Sequence, residues 1–319
     1  MGEKILSIVV PCYNEEAVLT AFYEEIRKQA DVLSEHVSCE FLFVDDGSTD
    51  GTLSLIRGMA QGDERVHYVS FSRNFGKEAA IYAGLKNAIG DYVVLMDADL
   101  QHPPEYLPQM LEGLLSGEYD SVAMRRSDRK GEKRIRSWFS RRFYRLNQKV
   151  SGVDIPEGAT DYRMMTRQMA DAVLSMPEVN RFTKGIFTWV GFRTKWIAYH
   201  NVERSLGKSK WTFWGLVKYS LNGIVAFSTI PLAIASVLGA LCCVVSMLMA
   251  VWVVVKTLIW GDPVGGFPTL ITVILFLGGI QLLMIGILGQ YFSKMYLEVK
   301  HRPMYIAKEQ KTAERTERE

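Results

Sequence analysis

The chain has 319 residues, 48% of them hydrophobic, and a formal net charge of +2. Its length allows one large domain or two smaller ones with a substantial core, and the small net charge gives no reason to expect a nucleic acid partner. None of the four cysteines has the spacing of a zinc site or a disulfide framework, so all are predicted to be packing residues.

Residues 5–124 alternate short apolar runs with amphipathic segments. The runs predicted as strands are ILSIVV, EFLFVD, VHYVSF, DYVVLMD and YDSVAM. The segments between them are predicted as helices: Glu15–Ala30, Thr49–Gln61, Gly76–Ala88 and Pro104–Leu115. Several strands are apolar on both faces, which indicates a three-layer α/β domain with helices on each side of a sheet.

Polar motifs follow the first four strands. They are PCYNEE, VDDGSTDGT, SRNFGKE and DADLQ, in chain order. Ligands of α/β sheets bind at the carboxyl ends of the strands, where the chain changes direction. The four motifs therefore predict a site along this edge of the sheet.

An acidic pair ends the fourth strand, in VVLMDADLQHPPE. If the strand geometry continues to its end, Asp97 and Asp99 leave on the same face, because the side-chain period of a strand is two. Their oxygens would suit Mg²⁺ or Mn²⁺ together with the phosphates of a ligand. The alternative is a solvated turn whose acidic residues cap a helix begun by Pro103 and Pro104, and the pair alone does not decide between the two.

A second acidic strand end is formed by Asp45 and Asp46. A strand-to-helix turn accounts for Gly47 and the polar residues after it, but not for two adjacent aspartates, one of which could accept from a base N–H or a ribose hydroxyl. Two acidic strand ends facing one cleft suit a sugar nucleotide. A dinucleotide oxidoreductase or an ATPase is disfavoured, because no G-x-G-x-x-G follows the first strand and LGKS at 206–209 lacks the P-loop glycine, which is replaced by Val202.

The C-terminal third is apolar. No formal charge occurs from Pro231 to Val255 or from Pro263 to Ser293, and each run exceeds the roughly 20 residues that a spanning helix needs. We predict a two-helix transmembrane hairpin with both ends in the cytoplasm, because lysines flank its outer ends and few charges occupy its connection. The first residues, MGEKILSIVV, do not resemble a signal peptide, which agrees with a cytosolic N-terminal domain.

Two segments next to the hairpin are polar or amphipathic. KSKWTFWGLVKYSLNG, 208–223, places tryptophans among lysines and is predicted to lie as an interfacial helix in the headgroup region. The tail KEQKTAERTERE, 308–319, has mixed charge and is predicted to be solvated or a frayed helix.

The ordered set of motifs resembles a known family. IVVPCYNEE, VDDGSTDGT, SRNFGKEAA, DADLQHPPE, RRSDR, TDYRMM and VERSLGKSKW, followed by two apolar segments, are similar to the polyprenyl-phosphate glycosyltransferases of the inverting GT-A family 2. The resemblance extends to about Tyr305. It implies an α/β, GT-A (Rossmann-like) cytosolic domain with an interfacial helix and a C-terminal two-helix transmembrane hairpin. The expected boundaries are 1–210 for the glycosyltransferase domain, 211–228 for the interfacial helix, 229–256 and 266–293 for the spans, and 294–319 for a cytosolic tail.

The same resemblance implies roles for individual residues. Asp97 and Asp99 would hold the diphosphate and a metal ion, Mg²⁺ or Mn²⁺, with Gln101 as a further ligand. The nucleotide sugar would be bound by Pro11, Tyr13, Glu15, Asp46, Asp97, Arg204 and Lys210. Arg126 and Arg136 match the phosphate-binding arginines of the family, and Asp161 would position the acceptor or act as a base. Lys77, Asn74 and Arg163 could be structural partners only.

The activity implied is metal-dependent, inverting transfer of one hexose from a UDP-sugar to undecaprenyl phosphate on the cytoplasmic leaflet. The motif of processive synthases, Q-x-x-R-W, is missing, so one sugar per acceptor is expected. Glucose and N-acetylglucosamine both remain open as the donor sugar. A non-catalytic lipid-flipping or scaffold subunit and a membrane-anchored enzyme with a non-lipid acceptor are the alternatives, and glycines in the hairpin make a homo-oligomer plausible.

Overall fold

The structure, a computed structural model, describes residues 4–126, 156, 158–199, 230–260 and 266–313. The chain divides into two compact units, Met1–Gly215 with Arg302–Glu319, and Leu216–His301. The predicted interfacial helix, 211–228, lies outside the described residues, as do the predicted site residues Arg136, Arg204 and Lys210.

The first unit contains an eight-stranded mixed sheet. In chain order its strands are β1 (Ile5–Cys12), β2 (Ser38–Asp45), β3 (Val66–Phe71), β4 (Tyr92–Leu95), β5 (Ser121–Arg126), β6 (Ala159–Thr166), β7 (Thr194–Tyr199) and β8 (Ala307–Lys311). Across the sheet the order is β7-β5-β6-β4-β1-β2-β3-β8. Because β1 is parallel to β2 and β4, and β2 is parallel to β3, the carboxyl ends of these four strands lie along one edge, as predicted.

Helices cover both faces of the sheet, which confirms the three-layer architecture. They are α1 (Glu16–Leu33), α2 (Thr52–Gly62), α3 (Lys77–Asn87), α4 (Leu107–Leu115), α5 (Arg167–Leu174) and α6 (Thr183–Trp189), with a 3₁₀ turn at Pro104–Tyr106. In α1 the buried residues recur every three or four positions, so one face of the helix meets the sheet. On α3, a Cβ added to Gly84 would come 2.1 Å from Val9 Cγ1, so glycine allows this helix to approach the sheet closely.

The strand β6 brings a distant part of the chain to the predicted site. It lies antiparallel between β4 and β5, with Leu95 opposite Arg163. Continuing this antiparallel register two residues further places Asp161 level with Asp97, at the carboxyl end of β4. The sequence did not predict this strand, whose pairing is entirely long-range.

The strand β4 is shorter than predicted. It ends at Leu95, and the chain then turns at residues 98 and 99, with Leu100 at a φ of +56°. The expectation that Asp97 and Asp99 leave one face of a continuing strand is therefore wrong, because strand geometry stops before either residue. The capping alternative is not observed either, since no side chain caps the 3₁₀ turn that follows.

The C-terminal tail also differs from its prediction. Ala307–Lys311 is a strand, β8, that pairs antiparallel with β3 at the edge of the sheet. The prediction of a solvated or frayed helix for this segment is wrong, because backbone pairing with β3 orders it in spite of its polar composition. Residues 314–319 lie outside the described residues.

The second unit contains two long helices, α7 (Ile230–Trp260) and α8 (Phe267–Val299). Within the described residues, one segment is long and apolar enough to cross a membrane, Phe276–Val299 of α8, and a shorter apolar run, Val237–Met249, lies in α7. Large apolar side chains of both helices are exposed, a surface that lipid accepts and water disfavours. The two-span hairpin remains a prediction.

Candidate active site

Two loops at the carboxyl edge, after β1 and β2, are tied together by hydrogen bonds. The backbone N–H of Asn14 donates to Ser48 Oγ (3.0 Å), and the N–H of Thr49 donates to Asn14 Oδ1 (2.8 Å). One residue further, the N–H of Glu15 donates to Thr52 Oγ1 (2.9 Å). Asn14 has a φ of +55°, a conformation that asparagine tolerates better than most residues. These bonds fix the PCYNEE motif against the start of α2.

The two adjacent aspartates at the end of β2 both accept hydrogen bonds from nearby backbone or hydroxyl groups. Asp45 accepts from the N–H of Ser48 (3.0 Å) and from the hydroxyl of Ser70 (2.7 Å). Asp46 accepts from the N–H groups of Phe75 (2.6 Å) and Gly76 (2.9 Å). Burial raises the pKa of Asp46, although these two N–H groups partly oppose the shift. Asp46 thus organises the loop after β3, and its predicted contact with a base remains a prediction.

The acidic turn after β4 is held from both ends. The N–H of Asp97 donates to Nδ1 of His102 (3.0 Å), and the N–H of Gln101 donates to Asp99 Oδ1 (3.1 Å). The imidazole of His102 is buried and stacks on the ring of Tyr162, with 5.0 Å between centroids. His102 is therefore a structural anchor that sets the direction of the turn.

Lys77 joins two of the predicted site residues. Its Nζ lies 2.7 Å from Asp97 Oδ1 and 2.9 Å from Asp161 Oδ2. A second lysine, Lys184 of α6, lies 3.8 Å from Asp161 Oδ1. The amino end of α6 is itself held by Glu78, whose carboxylate accepts from the N–H (3.0 Å) and the hydroxyl of Thr183.

The charges in this cluster determine the protonation of its carboxylates. Burial alone would raise the pKa of Asp97 and of Asp161, but the charge of Lys77 at Asp97, and the charges of Lys184 and Lys77 at Asp161, outweigh it and hold both pKa values below the ordinary range. For Lys77, burial would lower the pKa, and the charges of Asp161 and Asp97 raise it instead. At neutral pH the cluster therefore contains two ionised carboxylates and a protonated lysine between them.

Arg126 connects the acidic turn to β7, the strand at one edge of the sheet. Its Nη2 donates to Gln101 Oε1 (3.0 Å), and its Nε donates to the hydroxyl of Tyr199 (3.4 Å). The family resemblance implied different tasks for Arg126 and Gln101, binding a phosphate and holding a metal. The structure brings the two side chains into direct contact.

The remaining described site residues lie along the same edge. Pro11 is at the end of β1, opposite Val44 of β2, and the side chain of Tyr13 is exposed. Glu15 precedes α1. The positions of these three residues are compatible with their predicted roles in a nucleotide pocket, which remain predictions.

Comparison with known proteins identifies the family. The model of the family described as "Glycosyl transferase family 2" matches residues 7–174. The chain belongs to glycosyl transferase family 2. It is thus a glycosyltransferase, and the family supports the GT-A type of α/β fold expected from its motifs.

The relatives of this glycosyltransferase include proteins with named acceptors. It is 42% identical over 306 residues to the bactoprenol glucosyl transferase of Shigella phage SfV, covering 96% of this chain and 99% of the relative. It is 41% identical over 303 residues to the prophage bactoprenol glucosyl transferase homolog of Escherichia coli K12, covering 95% and 98%. These relatives confirm the resemblance to polyprenyl-phosphate glycosyltransferases. Among solved structures, glucosyl-3-phosphoglycerate synthase of Mycobacterium tuberculosis is 22% identical, with a TM-score of 0.47, over 70% of this chain and 78% of that one.

The predicted metal ligands fit a hard divalent ion in part. Asp97, Asp99 and Gln101 offer carboxylate and amide oxygens, which Mg²⁺ and Mn²⁺ prefer. Across the described ranges, however, no group of three or more His, Cys, Asp or Glu side chains is arranged to hold a metal. A metal at this turn would therefore take further oxygens from a bound diphosphate, as Mg²⁺ commonly does.

Sequence reasoning missed the central role of Lys77 in this glycosyltransferase. Lys77 precedes Asp97 by 20 residues and Asp161 by 84, so no local pattern reveals their contact. The structural interpretation of Arg163 agrees with its environment, since its guanidinium is buried between the rings of Phe187 (4.6 Å) and Trp196 (5.4 Å). No sequence signal pointed to Lys184.

Proposed function

We propose that the chain transfers one hexose from a UDP-sugar to undecaprenyl phosphate, with inversion at the anomeric carbon. The observation that carries this proposal is the similarity, over nearly the full length of both chains, to proteins named bactoprenol glucosyl transferase. Those names make glucose the first donor sugar to test, with N-acetylglucosamine as the alternative. The contact between Arg126 and Gln101 supports the same proposal. It places a guanidinium, which can bind a phosphate, beside the acidic turn, whose oxygens could hold a metal ion at a diphosphate.

The acceptor requires little activation. The second pKa of a phosphate monoester is about 6, so its oxygen is already largely anionic at neutral pH. A strong general base is then unnecessary. The depressed pKa of Asp161 agrees with this, since a carboxylate held so firmly ionised is a weak base. In this proposal Asp161 positions the acceptor side of the site through Lys77 and Lys184.

The main task is to bring two anionic groups together. Arg126, with Arg136, would hold the acceptor phosphate in line with the anomeric carbon, since a guanidinium binds phosphate with two parallel hydrogen bonds. Arg204 and Lys210 would close over the donor. The nucleotide would lie against Pro11, Tyr13 and Glu15, with Asp46 near the base.

Asp97, Asp99 and Gln101 would hold Mg²⁺ or Mn²⁺ at the donor diphosphate. When bound, such an ion stabilises the negative charge of the departing nucleoside diphosphate. Asp97 is already paired with Lys77, so substitutions of Asp99 and Gln101 test the metal assignment without breaking that ion pair.

A membrane anchor suits this acceptor. A C55-type lipid is costly to extract from a bilayer, at about 0.8 kcal/mol per CH₂ group, so the enzyme must act at the membrane surface. We propose that α7 and α8 form two spans, with the catalytic domain and both termini in the cytoplasm.

A transfer assay tests the proposal. Full-length protein in detergent is incubated with undecaprenyl phosphate, Mg²⁺ or Mn²⁺, and radiolabelled UDP-glucose or UDP-N-acetylglucosamine in separate reactions. Label from one donor in the organic phase, lost on addition of EDTA, is the expected result. Label that stays in the aqueous phase with every UDP-sugar contradicts the proposal and favours a scaffold role or a non-lipid acceptor.

A further inference from the structure

The strand β8 completes the sheet next to the candidate active site. It pairs with β3 from Tyr68 opposite Lys311 to Phe71 opposite Ala307, with an irregularity between Ser70 and Phe71. In the chain it follows the apolar helix α8. Without it, β3 would present an unpaired row of backbone groups at the sheet edge.

Two kinds of contact hold this segment. At its far end, Arg57 of α2 makes two hydrogen bonds to Glu309 (2.8 and 2.6 Å), and Lys311 Nζ donates to the carbonyl of Ala60 (2.6 Å). At its near end, the N–H of Ser72 donates to the carbonyl of Ile306 (2.9 Å). The first set anchors the strand to α2, whereas the last bond joins it to the loop after β3.

The side chain of Tyr305 is a second link between this segment and the loop that follows β3. Its ring stacks on Phe71, with 4.8 Å between centroids and 21° between planes, and its hydroxyl accepts from Asn87 Nδ2 (3.3 Å). Phe71 in turn meets the edge of Phe75 at 5.7 Å. Aromatic pairs in these geometries are favourable beyond the area that they bury.

Phe75 lies two residues before Lys77, the lysine that contacts Asp97 and Asp161. The N–H groups of Phe75 and Gly76 donate to Asp46, and the next residue, Lys77, contacts Asp97 and Asp161. A continuous series of contacts therefore runs from Tyr305 through Phe71 and Phe75 to the lysine between the two carboxylates.

We propose that Tyr305 is a positioning residue for the donor side of the site. It holds the loop 72–76 in the conformation that presents Lys77 to its two carboxylates. The segment that follows the apolar helices thereby supports the active site from outside it. The kinetic part of this inference rests on the proposed function, whereas the structural part does not.

The experiment compares four full-length variants. Tyr305→Ala removes the stacked ring, Tyr305→Phe keeps the ring and removes only the hydroxyl, and Tyr305→Leu keeps an apolar contact without stacking. Arg57→Ala is the matched control, because it loosens β8 at the end that does not touch the loop. Hydrogen exchange of the peptide covering Phe75 and Gly76 is measured without substrate, and KM and kcat are measured for UDP-glucose.

Tyr305→Ala is expected to speed exchange of that peptide and to raise KM for the donor about two- to tenfold, the range that corresponds to an aromatic pair, with little change in kcat. Tyr305→Phe and Arg57→Ala should leave both quantities within about twofold of wild type. If Tyr305→Ala is not recovered as folded protein, Tyr305→Leu is used instead. It is expected to speed exchange of the same peptide and to raise KM for the donor, each by less than Tyr305→Ala would.

Two results would overturn the proposal. Unchanged exchange at Phe75 and Gly76 in both Tyr305→Ala and Tyr305→Leu would show that the ring does not hold the loop. Equal effects of Arg57→Ala and Tyr305→Ala would show that β8 contributes only general stability. If wild type transfers no sugar, the proposed function fails, while the exchange data still decide whether Tyr305 positions the loop.

Discussion

Replacing Lys77 by methionine removes the ammonium group that contacts both Asp97 and Asp161, while keeping most of the side-chain volume. Asp97 and Asp161 are both close to its Nζ, at 2.7 and 2.9 Å, so the variant leaves two carboxylates facing each other. They must then move apart, or one must take up a proton. Either response changes the arrangement that a donor diphosphate meets.

The size of the effect follows from the distances and the exposure. At an effective dielectric constant of about 20, two unit charges roughly 4 Å apart interact by about 4 kcal/mol. The side chain of Lys77 is 45% exposed and that of Asp97 30%, so water screens part of this interaction. We therefore expect a loss of about 1–2 kcal/mol, which corresponds to a fall in kcat/KM of roughly 5- to 30-fold.

The assay is transfer of labelled sugar to the lipid at several donor concentrations. Lys77→Arg, which keeps the positive charge, should recover most of the activity. Lys28→Met is the matched control, because Lys28 forms an exposed ion pair with Glu25 on the surface of α1, and its loss should change kcat/KM less than twofold. Activity of Lys77→Met equal to wild type would refute the assignment of Lys77 as the organiser of the two carboxylates.

Three further predictions concern single side chains. Asp99→Asn should lower kcat about 100-fold or more, measured by lipid transfer, while the folded protein stays in the membrane fraction. Arg126→Lys should raise KM for undecaprenyl phosphate about tenfold, because lysine cannot reproduce both the contact to Gln101 and a second directed hydrogen bond. Asp63→Asn should lower the free energy of unfolding by about 1 kcal/mol at pH 7, measured with denaturant. Hydrogen bonding to Arg65 lowers the pKa of Asp63 from 3.8 to about 2, so this contribution is present above pH 3.8 and is lost as the pH falls through 2.

Each of these predictions has its own contradicting result. Retained turnover in Asp99→Asn would remove Asp99 from the metal assignment. A change in donor KM instead of lipid KM would place Arg126 on the donor side. For Asp63→Asn, a stability difference from wild type that persists unchanged at pH 2 would show that the ion pair with Arg65 is not its cause.

The parallel core of the fold was readable from the sequence. The apolar runs of β1 and β2 are buried nearly throughout, β3 buries four of its six residues, and α1 has a clear apolar face, so local periodicity was sufficient there. The same logic placed the polar motifs at one edge, because parallel strands bring their carboxyl ends together.

The contacts within the site could not be derived in this way. Asp161 reaches Asp97 only because β6 runs antiparallel beside β4, and Lys77 bridges them from a different loop. Likewise, Ala307–Lys311 is polar and has no strand pattern of its own, and its structure depends on β3 and on Arg57. Local propensity does not contain such long-range pairings.

The chemical identity of the product tests directly whether the chain transfers one hexose to undecaprenyl phosphate with inversion. Wild-type protein is incubated with undecaprenyl phosphate and UDP-glucose, in which the sugar is α-linked, and the lipid is analysed by mass spectrometry and NMR. Undecaprenyl phosphate carrying one hexose in the β configuration is the expected product. A lipid with two or more hexoses, an α-linked product, or no lipid product with any UDP-sugar would contradict the proposed function.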